Sequence, residues 1–229
     1  MIKWELKKGD IIMRVIDGKE YFYYSQLMSF EKISYKRKIY YFIKVLSKEY
    51  PNFNEWYNRL FEKFELIEGR EIIFCLYNEK VIGISILKKT EEEDKICTLR
   101  VNKNFQRMSI GKNLIELSLE WLENDKPLVT LQKSRYLQFK KLFEYYGFKI
   151  EDEKFGYYKL FSTELSFNGL LEERSILKNN KIEISYIEDI IFKSMQYENF
   201  LEAFDYYINK LYEYIQSSKY LLKEEKIFY

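Results

Sequence analysis

The run from Gln106 to Lys112, QRMSIGK, is where this sequence gathers groups able to hold a phosphorylated ligand. It joins a strand-like segment, DKICTLRV at residues 94–101, to a helix with Leu114, Leu117, Ser118, Trp121 and Leu122 on one face. A helix N-terminus offers backbone N–H groups that lack intrahelical acceptors, together with the positive end of the helix dipole. The amides from Arg107 to Lys112 can therefore converge on one pyrophosphate. Arg107 and Lys112 add charge at the rim, Gly111 permits close backbone approach, and Ser109 is small. A junction with one glycine is equally the form of a plain turn, and the loop alone leaves both readings open.

The sequence has no histidine, which removes imidazole bases, histidine-activated nucleophiles and histidine metal ligands. Proton transfer falls to carboxylate, tyrosine, lysine, cysteine or water. Cys75 and Cys97 lie in apolar, strand-like runs and read as reduced core residues, so no metal is expected. The net charge of +2 is too small to indicate nucleic acid, but it is unevenly spread. Residues 165–229 hold 8 Lys+Arg against 11 Asp+Glu, leaving 30 against 25 in residues 1–164. The basic, aromatic run KISYKRKIYYFIK, residues 32–44, reads as a solvated helix face, with RNA contact as its alternative. No apolar segment approaches the roughly 20 residues of a membrane span, and the opening MIKWELKKGD is charged where a signal peptide is apolar. A cytoplasmic protein without membrane contact is expected.

The elements that must position the loop follow from periodicity. GDIIMRVID reads as a first strand and residues 20–50 as a long aromatic helix stopped by Pro51. Residues 52–67 place Phe53, Trp56, Leu60, Phe61 and Phe64 at the spacing of a second helix. REIIFCLYNEKVIGISILKK, residues 70–89, reads as a hairpin turning at YNEK. After the loop come a helix ending near ENDKP, a strand PLVTLQ, and a helix from an N-cap at Ser134 to a stop at Gly147. FGYYKLFSTEL closes the series as a strand. From Ile187 apolar residues recur with helical period for about eight turns. That stripe must pack on the domain or against a partner, a second copy of the chain being one occupant.

The strand ending at Val101, the loop with Gln106 first and Gly111 last, and the helix ending Phe143-Glu144-Tyr145-Tyr146-Gly147-Phe148 together resemble the GNAT superfamily of acyl-CoA-dependent N-acetyltransferases. That family's loop reads Arg/Gln-x-x-Gly-x-Gly/Ala, and Ser109 stands here at its middle glycine. Its second signature is Tyr-x-x-x-Gly-Phe, with Phe143 here in place of the tyrosine. Gly83 within KVIGISIL is a further likeness, and the resemblance covers about residues 10–163. It implies an α/β (α+β) fold with a mixed, mostly antiparallel central sheet flanked by helices over residues 1–165; the charge division and the apolar period set off residues 166–229 as an acidic, Tyr-rich helical extension. It implies acetyl-CoA as co-substrate, lying along the backbone of Leu99, Arg100 and Val101. The pyrophosphate would sit on the amides of Arg107, Met108, Ser109, Ile110, Gly111 and Lys112, with Gln106 completing the turn and Tyr136 touching the pantetheine arm. A primary amine would attack the thioester directly, with no covalent enzyme intermediate. Phenylalanine at 143 cannot protonate a departing thiolate. Tyr146, three residues on, is the candidate acid, and core packing is its other reading. The acceptor classes implied are a small metabolite, a protein amine or an aminoacyl-tRNA. The rival reading is a catalytically degenerate binding protein whose C-terminal helix mediates partner or dimer contacts.

Overall fold

The computed structural model describes residues 3–8, 11–50, 52–158, 162–171, 177–178, 181–182 and 184–224. The chain divides into two compact units, Met1–Asp152 with Leu165–Leu170, and Glu153–Glu164 with Leu171–Tyr229.

The strands β1 (Lys3–Lys8), β2 (Ile11–Ile16), β3 (Lys19–Tyr23), β6 (Arg70–Tyr77), β7 (Lys80–Lys89) and β8 (Asp94–Val101) pair antiparallel in succession. β9 (Leu128–Gln132) joins β8 in parallel, and β11 (Thr163–Phe167) and β10 (Ile150–Phe155) complete the sheet in that order. The boundary between the two units passes through β10 and β11. Between β3 and β6 come α1 (Ser29–Ile43), α2 (Phe53–Asn58) and a small hairpin of β4 (Phe61–Glu62) and β5 (Glu65–Leu66). The crossover from β8 to β9 is α3 (Ile110–Leu122), and α4 (Tyr136–Tyr145) follows β9. This is a mixed, mostly antiparallel sheet flanked by helices.

Strand alternation builds two cores. In β6, Ile72, Phe74 and Leu76 join Ile39 and Ile43 of α1 and Phe53 and Tyr57 of α2. Ile73 and Cys75 face the other way, toward Ile110, Leu114, Ile115 and Leu117 of α3. That division is the period of two in a sheet buried on both faces. α3 fits closely because Gly83 of β7 has no side chain. A Cβ there would lie 2.7 Å from Ile110 Cγ2 and 3.1 Å from Leu114 Cδ1.

Several sequence expectations change. Residues 20–23 are strand, not helix, because they pair with Ile73–Leu76 of β6. The second helix stops at Asn58, and residues 61–66 turn back as a hairpin through Lys63 at φ 57°. Ser134 does not cap α4; it lies in a 3-10 turn, and Arg135 is the N-cap without a side-chain bond. Residues 155–165 are not one strand, since β10 ends at Phe155 and β11 begins at Thr163. In the second unit a short hairpin pairs β12 (Leu177–Lys178) with β13 (Lys181–Ile182). The expected long helix is two, α5 (Ile184–Ser194) and α6 (Phe200–Glu224), packed through Ile190, Tyr207 and Leu211.

Candidate functional site

The loop between β8 and α3 is anchored at both ends. The Asn102 amide donates to the Ile82 carbonyl at 2.8 Å, and the Gln106 side-chain amide donates to the Val101 carbonyl at 3.4 Å. Arg107 and Ser109 both take left-handed backbone, at φ 62° and 60°. Alternating left-handed residues turn successive N–H groups toward one side, a concave nest that suits an anion. The first helical bond is from the Asn113 amide to the Ser109 carbonyl at 2.9 Å. None of the amides from Arg107 to Lys112 has an acceptor among the described residues. Ser109 thus adopts the conformation that glycine adopts without strain. Gly111 is the second residue of α3, and a Cβ on it would make only ordinary contacts with Leu142 and Val101.

The strand leading to this loop is bulged. Ile96 pairs with Leu87 and Thr98 with Ile86, which leaves Cys97 as the extra residue. Pairing between β8 and β9 covers only Lys95–Leu128 and Ile96–Val129, so the two strands part at the bulge. The result is a fork whose β8 arm, Cys97 to Val101, has no ladder on its β9 side among the described residues. The bulge also resets the alternation. Leu99 and Val101 pack toward α3, whereas Thr98 and Arg100 lie opposite Ile86 and Ile84 on the α1 side.

Arg100 brings its guanidinium to 5.5 Å from the centroid of the Phe42 ring. Its Nε is buried and has no hydrogen-bond partner. Burial, and then the like charge of Arg135, weaken its hold on its proton, while Glu49 partly offsets both. Across the fork, Arg135 pairs with the Glu49 carboxylate, and the Gln132 side chain donates to the Glu49 carbonyl at 3.4 Å. Sequence reasoning missed Glu49, Gln132 and Arg135; Glu49 and Arg135 are 86 positions apart and no local pattern joins them.

The remaining candidates are placed as follows. Arg107, Met108 and Gln106 are exposed, and Lys112 reaches the Tyr145 hydroxyl at 3.1 Å. The Tyr146 hydroxyl donates to the Lys112 carbonyl at 3.1 Å, and burial, with Glu116 nearby, keeps it protonated. Tyr136 is half-buried, its ring 6.1 Å from that of Phe167. Phe143 is 2 % exposed, wholly within the core. Burial raises the Cys97 thiol pKa despite Lys95 and Arg70, and pushes that of Cys75 up to about 12, so neither is a thiolate at neutral pH. Glu65 is paired to Lys32 at 2.5 Å. The basic run is the body of α1, with Arg37 and Lys38 exposed. Among the described residues no cluster of ligands could hold a metal ion, and no helix is long and apolar enough to cross a membrane.

Residues 40–169 match the family model for the acetyltransferase (GNAT) domain. No curated protein matches the sequence. Among solved structures, the chain is similar to a candidate streptothricin acetyltransferase from Bacillus anthracis in complex with acetyl coenzyme A, at 21 % identity and TM-score 0.39, covering 43 % of this chain and 61 % of that one. This chain thus spans less than two thirds of that protein's length. It is similar to the ribosomal-protein-S18-alanine N-acetyltransferase from Escherichia coli at 14 % identity and TM-score 0.46, covering 68 % and 98 %. It is also similar to a GNAT family acetyltransferase from Elizabethkingia anophelis with acetyl-CoA bound, at 19 % and 0.41, covering 52 % and 83 %. Likenesses of this size carry no argument about substrate.

Proposed function

The chain belongs to the GNAT family of acetyltransferase domains, matched over more than half its length, and from that premise we propose that it transfers the acetyl group of acetyl-CoA to a primary amine. The observation that carries this reading is the set of amides from Arg107 to Lys112 without protein acceptors, held in a nest at the start of α3. They suit a pyrophosphate, since a helix N-terminus favours anions in both hydrogen bonding and dipole. Arg107 and Lys112 stand at the rim of that nest. The β8 arm of the fork, without a ladder on its β9 side, offers Leu99, Arg100 and Val101 as backbone partners for the acyl arm, and Tyr136 would touch the pantetheine arm. Acetyl-CoA would supply the activated thioester; this chain's contribution is to order it against an amine in one cleft. A transfer of this kind needs no histidine and no enzyme nucleophile. Tyr146, held protonated, remains the candidate proton donor. The acceptor is a small metabolite, a protein amine or an aminoacyl-tRNA.

Gly111→Asp tests the cradle. An acidic residue in the first turn favours a helix, and its Cβ has room, so the fold is expected to survive. Its carboxylate would oppose the pyrophosphate. Calorimetric titration of acetyl-CoA is expected to show binding by the parent and binding weakened roughly tenfold or more by the substitution. Equal affinities would remove the loop from the site. The second reading, a non-catalytic binding protein, rests on exposed Phe192 of α5, Leu201 of α6 and Met195 in the turn between them; acetyl-CoA consumption with any amine excludes it.

A further inference from the structure

Arg100 is an arginine that the fold brings to the mouth of the β8–β9 fork without an ion pair among the described residues. Its Nε is out of contact with water and unbonded, and no described group accepts a hydrogen bond from the side chain. The Phe42 ring lies against it. Arginine is deprotonated with great difficulty, so the charge stays, and an Nε–H removed from water without an acceptor is unfavourable. The carboxylate at this rim, Glu49, is already taken by Arg135. Arg100 on β8 and Arg135, just beyond the end of β9, thus lie near one carboxylate, Glu49, which pairs with Arg135. Planar guanidinium groups match the oxygens of a carboxylate or phosphate in paired hydrogen bonds.

We propose that Arg100, seconded by Arg135, receives an anionic group carried by the acceptor, so that the amine substrate is an acidic one bearing a carboxylate or a phosphate. This rests on the acetyltransferase reading above and narrows it to a substrate class. The strand geometry explains why the receptor sits on this side. The bulge at Cys97 rotates Arg100 to the α1 face of β8, while Leu99 and Val101 keep the α3 face. Arg100 then acts on the acceptor and leaves the reacting bond alone.

The test uses the full chain, acetyl-CoA and amine probes matched in pairs: tyrosine against tyramine, arginine against agmatine, and phosphoethanolamine against ethanolamine. The quantity read is the ratio of kcat/KM for the acidic member to that for the neutral one, in which any effect on cofactor binding or folding cancels. The parent is expected to favour the acidic member of at least one pair by about tenfold or more, chiefly through KM. Arg100→Gln is expected to bring the ratio close to one, and Arg100→Lys to keep part of it. The carboxylate pairs and the phosphate pair tell the two anions apart. A parent ratio near one in every pair, or a ratio unchanged by Arg100→Gln, overturns the proposal. If no probe is acetylated, thermal unfolding with the same probes decides. Stabilisation by acidic members, lost in Arg100→Gln, upholds the anion receptor while the transferase reading falls; no stabilisation overturns the receptor. Calorimetric titration of acetyl-CoA judges the transferase reading separately.

Discussion

Phe143 meets Phe139, Phe148 and Phe167 at ring-centroid separations of 5.4, 5.4 and 4.8 Å. Its position is set by the end of α4. The Phe148 amide donates to the Phe143 carbonyl at 2.9 Å and the Gly147 amide to the Glu144 carbonyl at 3.0 Å, with Gly147 at φ 64°. That is a Schellman ending, and its usual apolar contact is the Phe143–Phe148 pair. An aromatic residue four places before Gly147 is thus required for packing, whatever else it does. Phe143→Tyr would place a hydroxyl among these rings, and it is expected to lower stability by about 1–3 kcal/mol with no gain in acetyl transfer. Thermal unfolding and steady-state rates check this; a variant as stable as the parent and faster would mean that the ring borders the reaction. Legibility at this scale was uneven. Gln106, Gly111 and Gly147 announce themselves by type. The φ of Ser109 does not, because serine gives no hint of left-handed backbone. Arg100 was named for its backbone, but the face of its side chain was out of reach for a different reason: simple alternation from Ile96 assigns it to the α3 face, and the bulge at Cys97 reverses that.

Gly83 links two elements on which the cradle depends, β7 and the first turn of α3. Because an added methyl group would overlap Ile110 Cγ2 at 2.7 Å, Gly83→Ala must push α3 outward or displace the strand. The expected loss is about 1–3 kcal/mol of stability. Acetyl-CoA affinity should fall as well, since Ile110 and Gly111 contribute amides to the nest. Urea unfolding together with calorimetry checks both, and an unchanged affinity in a destabilised variant would uncouple the helix position from the site. The hairpin of β6 and β7, the strand β8 and the helices α3 and α4 could be read from the sequence because each is a sustained pattern ended by turn residues. Residues 20–23 could not, since an unbroken aromatic run passes from strand into helix without glycine or proline between them. Phe61 and Phe64 keep a helical spacing that the turn at Lys63 overrides. The apolar period of the C-terminal segment continues in register across the break at residues 195–199, so periodicity alone fused α5 and α6.

At the scale of the whole molecule, stability against pH records how the fold treats its buried charge. Glu71 is 2 % exposed, and burial raises its pKa above the ordinary 4.5, although Ser25 and the Ile72 amide bond to it and pull the other way. Its Oε1 accepts from the Ser25 amide at 3.1 Å and the Ile72 amide at 2.9 Å, and its Oε2 lies 2.5 Å from Ser25 Oγ. A raised native pKa means that the folded chain holds this proton more tightly than the unfolded chain. Between 4.5 and the native value the folded state therefore binds more protons, and Glu71 makes stability fall as pH rises; above that value its penalty is constant. Glu93 contributes with the opposite sign, because Lys88 and Lys95 hold its pKa down despite its burial. A single stability curve mixes the two, and only a difference isolates Glu71. Glu71→Gln keeps an oxygen for both backbone donors and an amide N–H for Ser25 Oγ, and it cannot ionise. Urea unfolding of parent and variant across pH 4 to 8 is expected to show the variant gaining on the parent as pH rises from about 4.5 and then holding a constant lead. Parallel curves over that range would mean that Glu71 titrates alike in the folded and unfolded chain, and that its hydrogen bonds fully replace the water it loses.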